Sequence, residues 1–150
     1  MGDRNKNLAY ALNAIDQTIG LIKKKSSVYQ TAAWGKTDQP PFYNQIIEIE
    51  TSLPSQKVLD QLLTIEQKMG RKRSEKWGER IIDIDILFYG DEIIETKGLI
   101  IPHPQLAARR FTLVPLNEIA PHLTHPILQK KIEELLAACP DQLDVTRISD

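Results

Sequence analysis

Three observations predict an α+β fold for this chain. Two stretches carry apolar residues at helical spacing, two others alternate isoleucine with acid at a period of two, and the glycine-rich turns of dinucleotide-binding and P-loop folds do not occur. Asp3 can cap a first helix whose apolar positions Leu8, Ala11, Leu12, Ile15 and Ile19 follow helical spacing, with Gly20 as its stop. Ser26-Ser27-Val28-Tyr29 reads as a strand, followed by a connection through Gly35, Pro40 and Pro41 that carries Trp34 and Phe42. From Asn44 to Thr51 the pattern alternates, Ile47 and Ile49 on one face and Glu48 and Glu50 on the other, which is a second strand. Pro54 opens a second helix with Val58, Leu59, Leu62, Leu63, Ile65 and Met69 inward, closed by Gly70.

A third strand runs from about Arg80 to Tyr89, and Tyr89-Gly90-Asp91-Glu92 turns into Ile93-Ile94. Beyond it lie Ile100-Ile101-Pro102-His103-Pro104, a short helical stretch near Gln105 to Arg109, the segment from Phe111 to Leu116, and an amphipathic helix around Ile127 to Ala138. The order helix, strand, strand, helix, strand is a ferredoxin-like β-α-β-β-α-β sheet, helices on one face, without its opening strand.

With 41% hydrophobic and 26% charged residues the chain has the composition of one globular domain, residues 1–150, able to bury a core. A net charge of −1 argues against a protein that wraps nucleic acid or coats a membrane by bulk electrostatics. There is no run of eighteen apolar residues and no hydrophobic signal core near Met1, so a cytoplasmic location is expected. The single cysteine, Cys139, excludes an internal disulfide, and its apolar neighbours Leu135 to Ala138 mark it as packing.

The chemistry concentrates at Trp77 to Ile86. Ile82, Ile84 and Ile86 alternate with Asp83 and Asp85, so both carboxylates leave the same face of a strand, their Cα atoms roughly 6.5 Å apart, within reach of one or more hard cations. Immediately upstream, Arg71, Lys72, Arg73, Lys76 and Arg80 stand against Glu75 and Glu79, five cations against two carboxylates, a surplus of three. Alternating acids are also the wet face of an ordinary strand, and a basic stretch after a helix is also a solvated turn. Both features at adjacent positions, with Trp77-Gly78 between them, point to Mg²⁺ plus polyphosphate.

The motif Trp77-Gly78-x-Arg80-x-x-Asp83-Ile84-Asp85-Ile86-Leu87 resembles that of the 6-hydroxymethyl-7,8-dihydropterin pyrophosphokinases of folate biosynthesis. The resemblance extends through Gly2-Asp3-Arg4, Ser27-Val28-Tyr29-x-Thr31, Phe42-x-Asn44, Ile65-Glu66, Gly70-Arg71-x-Arg73, Pro102-His103-Pro104, Arg109-Arg110-Phe111 and Pro115-Leu116-x-Glu118-Ile119-Ala120-Pro121. It implies a ferredoxin-like α+β transferase that moves the β,γ-pyrophosphoryl group of ATP to the pterin hydroxymethyl oxygen and releases AMP. Small molecules are then its partners; nucleic acid and membrane are not.

Carried over residue by residue, the resemblance makes Asp83 and Asp85 the ligands of two Mg²⁺ ions, and Arg71 and Arg80 the phosphate clamps of the catalytic centre. Arg73 and Trp77 belong to a lid over both substrates; Glu66, His103 and Arg109 join Arg71, Arg73 and Arg80 at ATP. Phe42 and Phe111 become the pair that stacks on the pterin, Asn44 reads its edge, and Thr31, Trp34 and Trp77 complete its pocket. Many relatives carry tyrosine where Phe42 stands, and a proline is common at Ala32 or Ala33. Relatives also open with an apolar strand ahead of Gly-Asp-Arg, whereas this sequence begins Met1-Gly2-Asp3-Arg4, so a first strand is expected upstream in a longer protein. The competing classes are a truncated or degenerate paralogue that binds nucleotide without turnover, and a ferredoxin-like nucleic-acid-binding module. The aromatic strand pattern of RNA-binding modules is missing, and two carboxylates in the groove would repel a phosphate backbone.

Overall fold

The computed structural model describes residues 4–31, 42–71 and 82–149. The chain forms two compact units, one of residues 1–23 and 49–86, the other of 24–48 and 87–150.

In the first unit, helix α1 (Arg4–Thr18) packs on helix α2 (Ser55–Arg71). The helical spacing read from sequence is what buries Ala11, Ile15 and Ile19 of the first segment and Val58, Leu62, Ile65 and Met69 of the second. Leu63 departs from expectation, 46% exposed on the opposite face, and Gly70 lies inside α2 instead of closing it, since the helix continues to Arg71. Gly20 does end the first helical segment, for a steric reason: a Cβ there would stand 2.2 Å from the carbonyl oxygen of Glu50. The Thr51 hydroxyl donates to the Ile19 carbonyl at 2.6 Å and secures the same junction.

Strand β1 (Leu21–Lys25) pairs with a later strand, β4 (Ile47–Glu50), as a two-stranded sheet. β4 shows the expected alternation, isoleucines half-buried and glutamates exposed. β1 was not expected, because its run of three lysines hides a strand that is almost wholly exposed.

The second unit is built on a three-stranded antiparallel sheet in the order β3 (Phe42–Asn44), β2 (Val28–Thr31), β7 (Val145–Ser149). Between β3 and β7 in sequence, Gly90, with φ +55°, makes the turn ahead of a small hairpin of β5 (Ile94–Glu95) and β6 (Ile100–Ile101). Helix α3 (Arg110–Ile119) packs on β2 and against α4 (Ile132–Ala137). Leu106, Leu113, Leu116, Ile132 and Leu135 form the core, with Leu87, Phe88 and Leu123 against it. The last helix is shorter than the pattern from Ile127 implied: 126–128 is a turn, Gln129 has φ 59°, Lys131 bridges Thr124, and the helix begins at Ile132.

The architecture is thus mixed helix and strand with small antiparallel sheets, an α+β arrangement. One expectation needs correction. Residues 82–86 keep the alternating burial of a strand, but 82–88 join none of the three sheets formed by the described residues. Part of their backbone bonding goes elsewhere: the Ile84 amide donates to the Glu66 side chain and the Leu87 carbonyl accepts from His103.

Candidate active site

In the first unit, Ile82, Ile84 and Ile86 are half-buried while Asp83 and Asp85 between them are exposed, so the two carboxylates share the solvent side. The register of that segment is held from α2. Glu66, one residue past buried Ile65, accepts the Ile84 N–H at 2.6 Å through Oε2, and Ile84 is the residue between the two aspartates. Such a short bond to an ionised acceptor is of the strong kind. Arg71 ends α2, its side chain lying outside the description; Trp34, Arg73, Trp77 and Arg80 fall outside the described residues altogether. Among the described residues no group of three or more His, Cys, Asp or Glu side chains gathers. Asp83 and Asp85 are oxygen donors of the kind that hold hard cations such as Mg²⁺, which commonly take further oxygens from water and phosphate.

In the second unit, strand register brings the expected pterin residues together. Thr31 stands opposite Phe42 and Tyr29 opposite Asn44, so Thr31, Phe42 and Asn44 share one face of the β2–β3 pair. Phe42 is 56% exposed; Thr31 is buried, and its hydroxyl has no hydrogen-bond partner among the described residues. A second grouping forms at the start of α3. The Arg109 guanidinium lies 5.5 Å from the Phe111 ring centroid and donates to the Gln105 side-chain oxygen. His103 Nδ1 accepts the Gln105 N–H at 3.2 Å, which joins His103, Gln105, Arg109 and Phe111 into one cluster. Beside it opens a groove of about 420 Å³ lined by Ala108, Phe111, Pro140, Asp141 and Leu143.

Two residues with structural weight had no role in the sequence reading. Glu118 of α3 accepts the Ser27 N–H at 3.0 Å, the Ser27 hydroxyl at 3.0 Å and the Tyr29 hydroxyl at 2.7 Å, tying the helix to β2. Desolvation pushes the Glu118 carboxyl upward, but the Tyr29 and Ser27 hydrogen bonds more than offset it and hold the group below the usual carboxylate range. Burial, then the Glu118 bond, pushes the Tyr29 phenol up to about 12. Asp141 is the other: its Oδ2 accepts the Arg110 N–H at 3.1 Å and its Oδ1 the Leu143 N–H at 3.0 Å. A glutamate on a helix and an aspartate after a proline look like solvated residues until the fold shows their partners.

The described fold is α+β, with an exposed pair of carboxylates in one unit and a groove beside Phe111 in the other. Residues 1–121 match the family described as 7,8-dihydro-6-hydroxymethylpterin-pyrophosphokinase. The chain is 42% identical over 134 residues to the 2-amino-4-hydroxy-6-hydroxymethyldihydropteridine pyrophosphokinase of Aquifex aeolicus (strain VF5), covering 89% of this chain and 83% of that one. It is 44% identical over 122 residues to the protein of the same name from Haemophilus influenzae (strain ATCC 51907 / DSM 11121 / KW20 / Rd), covering 81% and 76%. The Folic acid synthesis protein fol1 of Pneumocystis carinii is 38% identical over 127 residues, 85% of this chain but 17% of that longer one. The chain belongs to the 7,8-dihydro-6-hydroxymethylpterin-pyrophosphokinase family.

Proposed function

We infer that the chain is an ATP-dependent diphosphotransferase of folate biosynthesis, which transfers pyrophosphate from ATP to 6-hydroxymethyl-7,8-dihydropterin and gives AMP and the pterin diphosphate. The observation that carries this is the family match over residues 1–121, a span that contains every residue to which the motifs assign a role.

Asp83 and Asp85 would hold Mg²⁺, two ions in this reading. Bound there, the metal would supply Lewis-acid stabilisation of the charge that develops on phosphoryl transfer. Glu66 fixes the backbone between the two aspartates, and its proximity to that segment supports a place beside the nucleotide. Arg71, Arg73, Arg80, His103 and Arg109 would engage ATP, where planar guanidinium groups suit bidentate phosphate contact. Phe42 and Phe111 would stack on the pterin, with Thr31, Asn44, Trp34 and Trp77 around its edge; that the buried Thr31 hydroxyl has no partner among the described residues supports its assignment.

The same reading treats 1–150 as one pyrophosphokinase domain of ferredoxin-like order, acting in the cytoplasm on small molecules and not on nucleic acid or membrane. No helix among the described residues is long and apolar enough to cross a membrane. The alternation of 82–86 supports a further strand there, as the ferredoxin-like order requires.

The deciding experiment is AMP release from ATP, with and without pterin and Mg²⁺. AMP that requires both is expected. ATP binding with no AMP would identify a non-catalytic paralogue, and salt-sensitive RNA binding without AMP a nucleic-acid module. A chain extended upstream by an apolar strand should melt higher and turn over faster; equal behaviour would remove the additional strand from the reading.

A further inference from the structure

Helix α3 starts in an electrostatically unfavourable way. Its N-cap is Arg109 and its first residue Arg110, two cations at the end of a helix that already carries partial positive charge, and its first turn contains no acid. No side chain caps it locally. The missing carboxylate comes from 31 residues away: Asp141 Oδ2 accepts the Arg110 N–H, one of the orphan donors of the first turn, at 3.1 Å. Its other oxygen accepts the Leu143 N–H at 3.0 Å, so one carboxylate ties the first turn of α3 to the segment Pro140 to Leu143. Those same residues form the far wall of the groove whose near wall is Ala108 and Phe111. Residues 140–143 lie beyond the span 1–121 over which the family match runs.

We propose that Asp141 is a positioning residue for pterin binding: it holds Arg110 so that the flanking Phe111 ring, under Arg109, faces the groove, and it closes that groove with Pro140 and Leu143. The proposal rests on the pyrophosphokinase reading, since it takes the groove beside Phe111 as the pterin side of the site. Both carboxylate oxygens are engaged by backbone N–H groups, so Asp141 acts through α3. Arginines at a helix start cost stability; a carboxylate imported from the C-terminal segment lets them stay there and face substrate.

The test compares the parent chain with D141A, D141N and, as a control on an exposed neighbouring acid, D144N, all assayed well below their melting temperatures. Because ring stacking serves ground state and transition state alike, D141A should raise the pterin KM about tenfold while kcat changes by less than about threefold. D141N, which keeps one acceptor oxygen, should raise it by about threefold, and it decides the matter if D141A does not fold. D144N should behave as the parent. In the background of F111A, D141A should add nothing further to the pterin KM, because the two act as a unit. A parent that makes no AMP from ATP and pterin overturns the pyrophosphokinase reading and this proposal together. An active parent whose D141A or D141N variants melt earlier but keep the pterin KM, or whose two effects in D141A and F111A simply add, overturns the positioning role alone.

Discussion

The segment 82–86 and the junction of β2 with α3 both depend on carboxylates, used in opposite ways. Asp83 and Asp85 stand exposed, with the backbone between them held by a third carboxylate, Glu66. Glu118 turns its oxygens toward Ser27 and Tyr29, two buried residues whose donors it satisfies. In the first arrangement the acids face solvent; in the second an acid fixes a frame. Burying the donors of Ser27 and Tyr29 without that acceptor would leave them unpaired at a cost of about 1–3 kcal/mol. Asp83 and Asp85 are exposed, so replacing either should cost the fold little.

Substitution should separate the two uses. The largest effect is expected from Asp83→Asn or Asp85→Asn, which keep size and remove charge: pyrophosphoryl transfer should fall by at least about two orders of magnitude with the melting temperature unchanged. Turnover within about tenfold of the parent at saturating Mg²⁺ would remove both from the metal site. Phe111→Ala comes next, with about 1–3 kcal/mol of pterin affinity lost and affinity for a non-hydrolysable ATP analogue retained. The opposite pattern would make Phe111 a frame residue.

Glu118→Ala should invert the aspartate result. It should cost about 1 kcal/mol in urea unfolding, less than a fully buried acceptor because Glu118 is itself exposed, while activity per folded molecule stays near the parent's. Glu66→Ala should fall between the two classes, losing roughly tenfold in kcat and no more than about 1 kcal/mol of stability, because the hydrogen bond it removes is only partly buried. Parental kcat in that variant would show that the aspartates keep their positions without it.

How much of this could be read from sequence follows the range of the interactions. Helical spacing located both long helices and the i, i+2 spacing located Asp83 and Asp85, because those patterns are local. Strand β7 escaped because Val145 to Ser149 carries no period-two apolar pattern, and its pairing with β2 spans more than a hundred residues. Asp141 and Glu118 escaped for the same reason: their partners are Arg110, 31 residues away, and Ser27 and Tyr29, about ninety away. The family motif around Glu118 marked the residue without saying that it works as a brace.

The smallest effect concerns pH and reaches the frame alone. His125 is 6% exposed, its Nδ1 accepts the N–H groups of Ile127 at 3.2 Å and Leu128 at 3.1 Å, and Phe88 meets its ring edge-on with centroids 5.7 Å apart. Burial holds its pKa below the ordinary 6.5, and a proton on Nδ1 would face two donors. Below about pH 6.5 the unfolded chain therefore binds a proton that the folded chain still refuses, and stability falls with pH until the folded histidine titrates as well. Glu118, held below its usual 4.5, adds a second loss in more acid solution, by the same sign. At the other end, the Tyr29 phenol stays protonated in the fold up to about 12 against an ordinary 10.0, so its contribution is complete below pH 10 and lost between these values. Urea melts across pH should show a plateau between the histidine and tyrosine windows. In His125→Asn, which keeps an acceptor and cannot titrate, the first acid step should vanish and the lower one persist; an unchanged first step would assign it to another group.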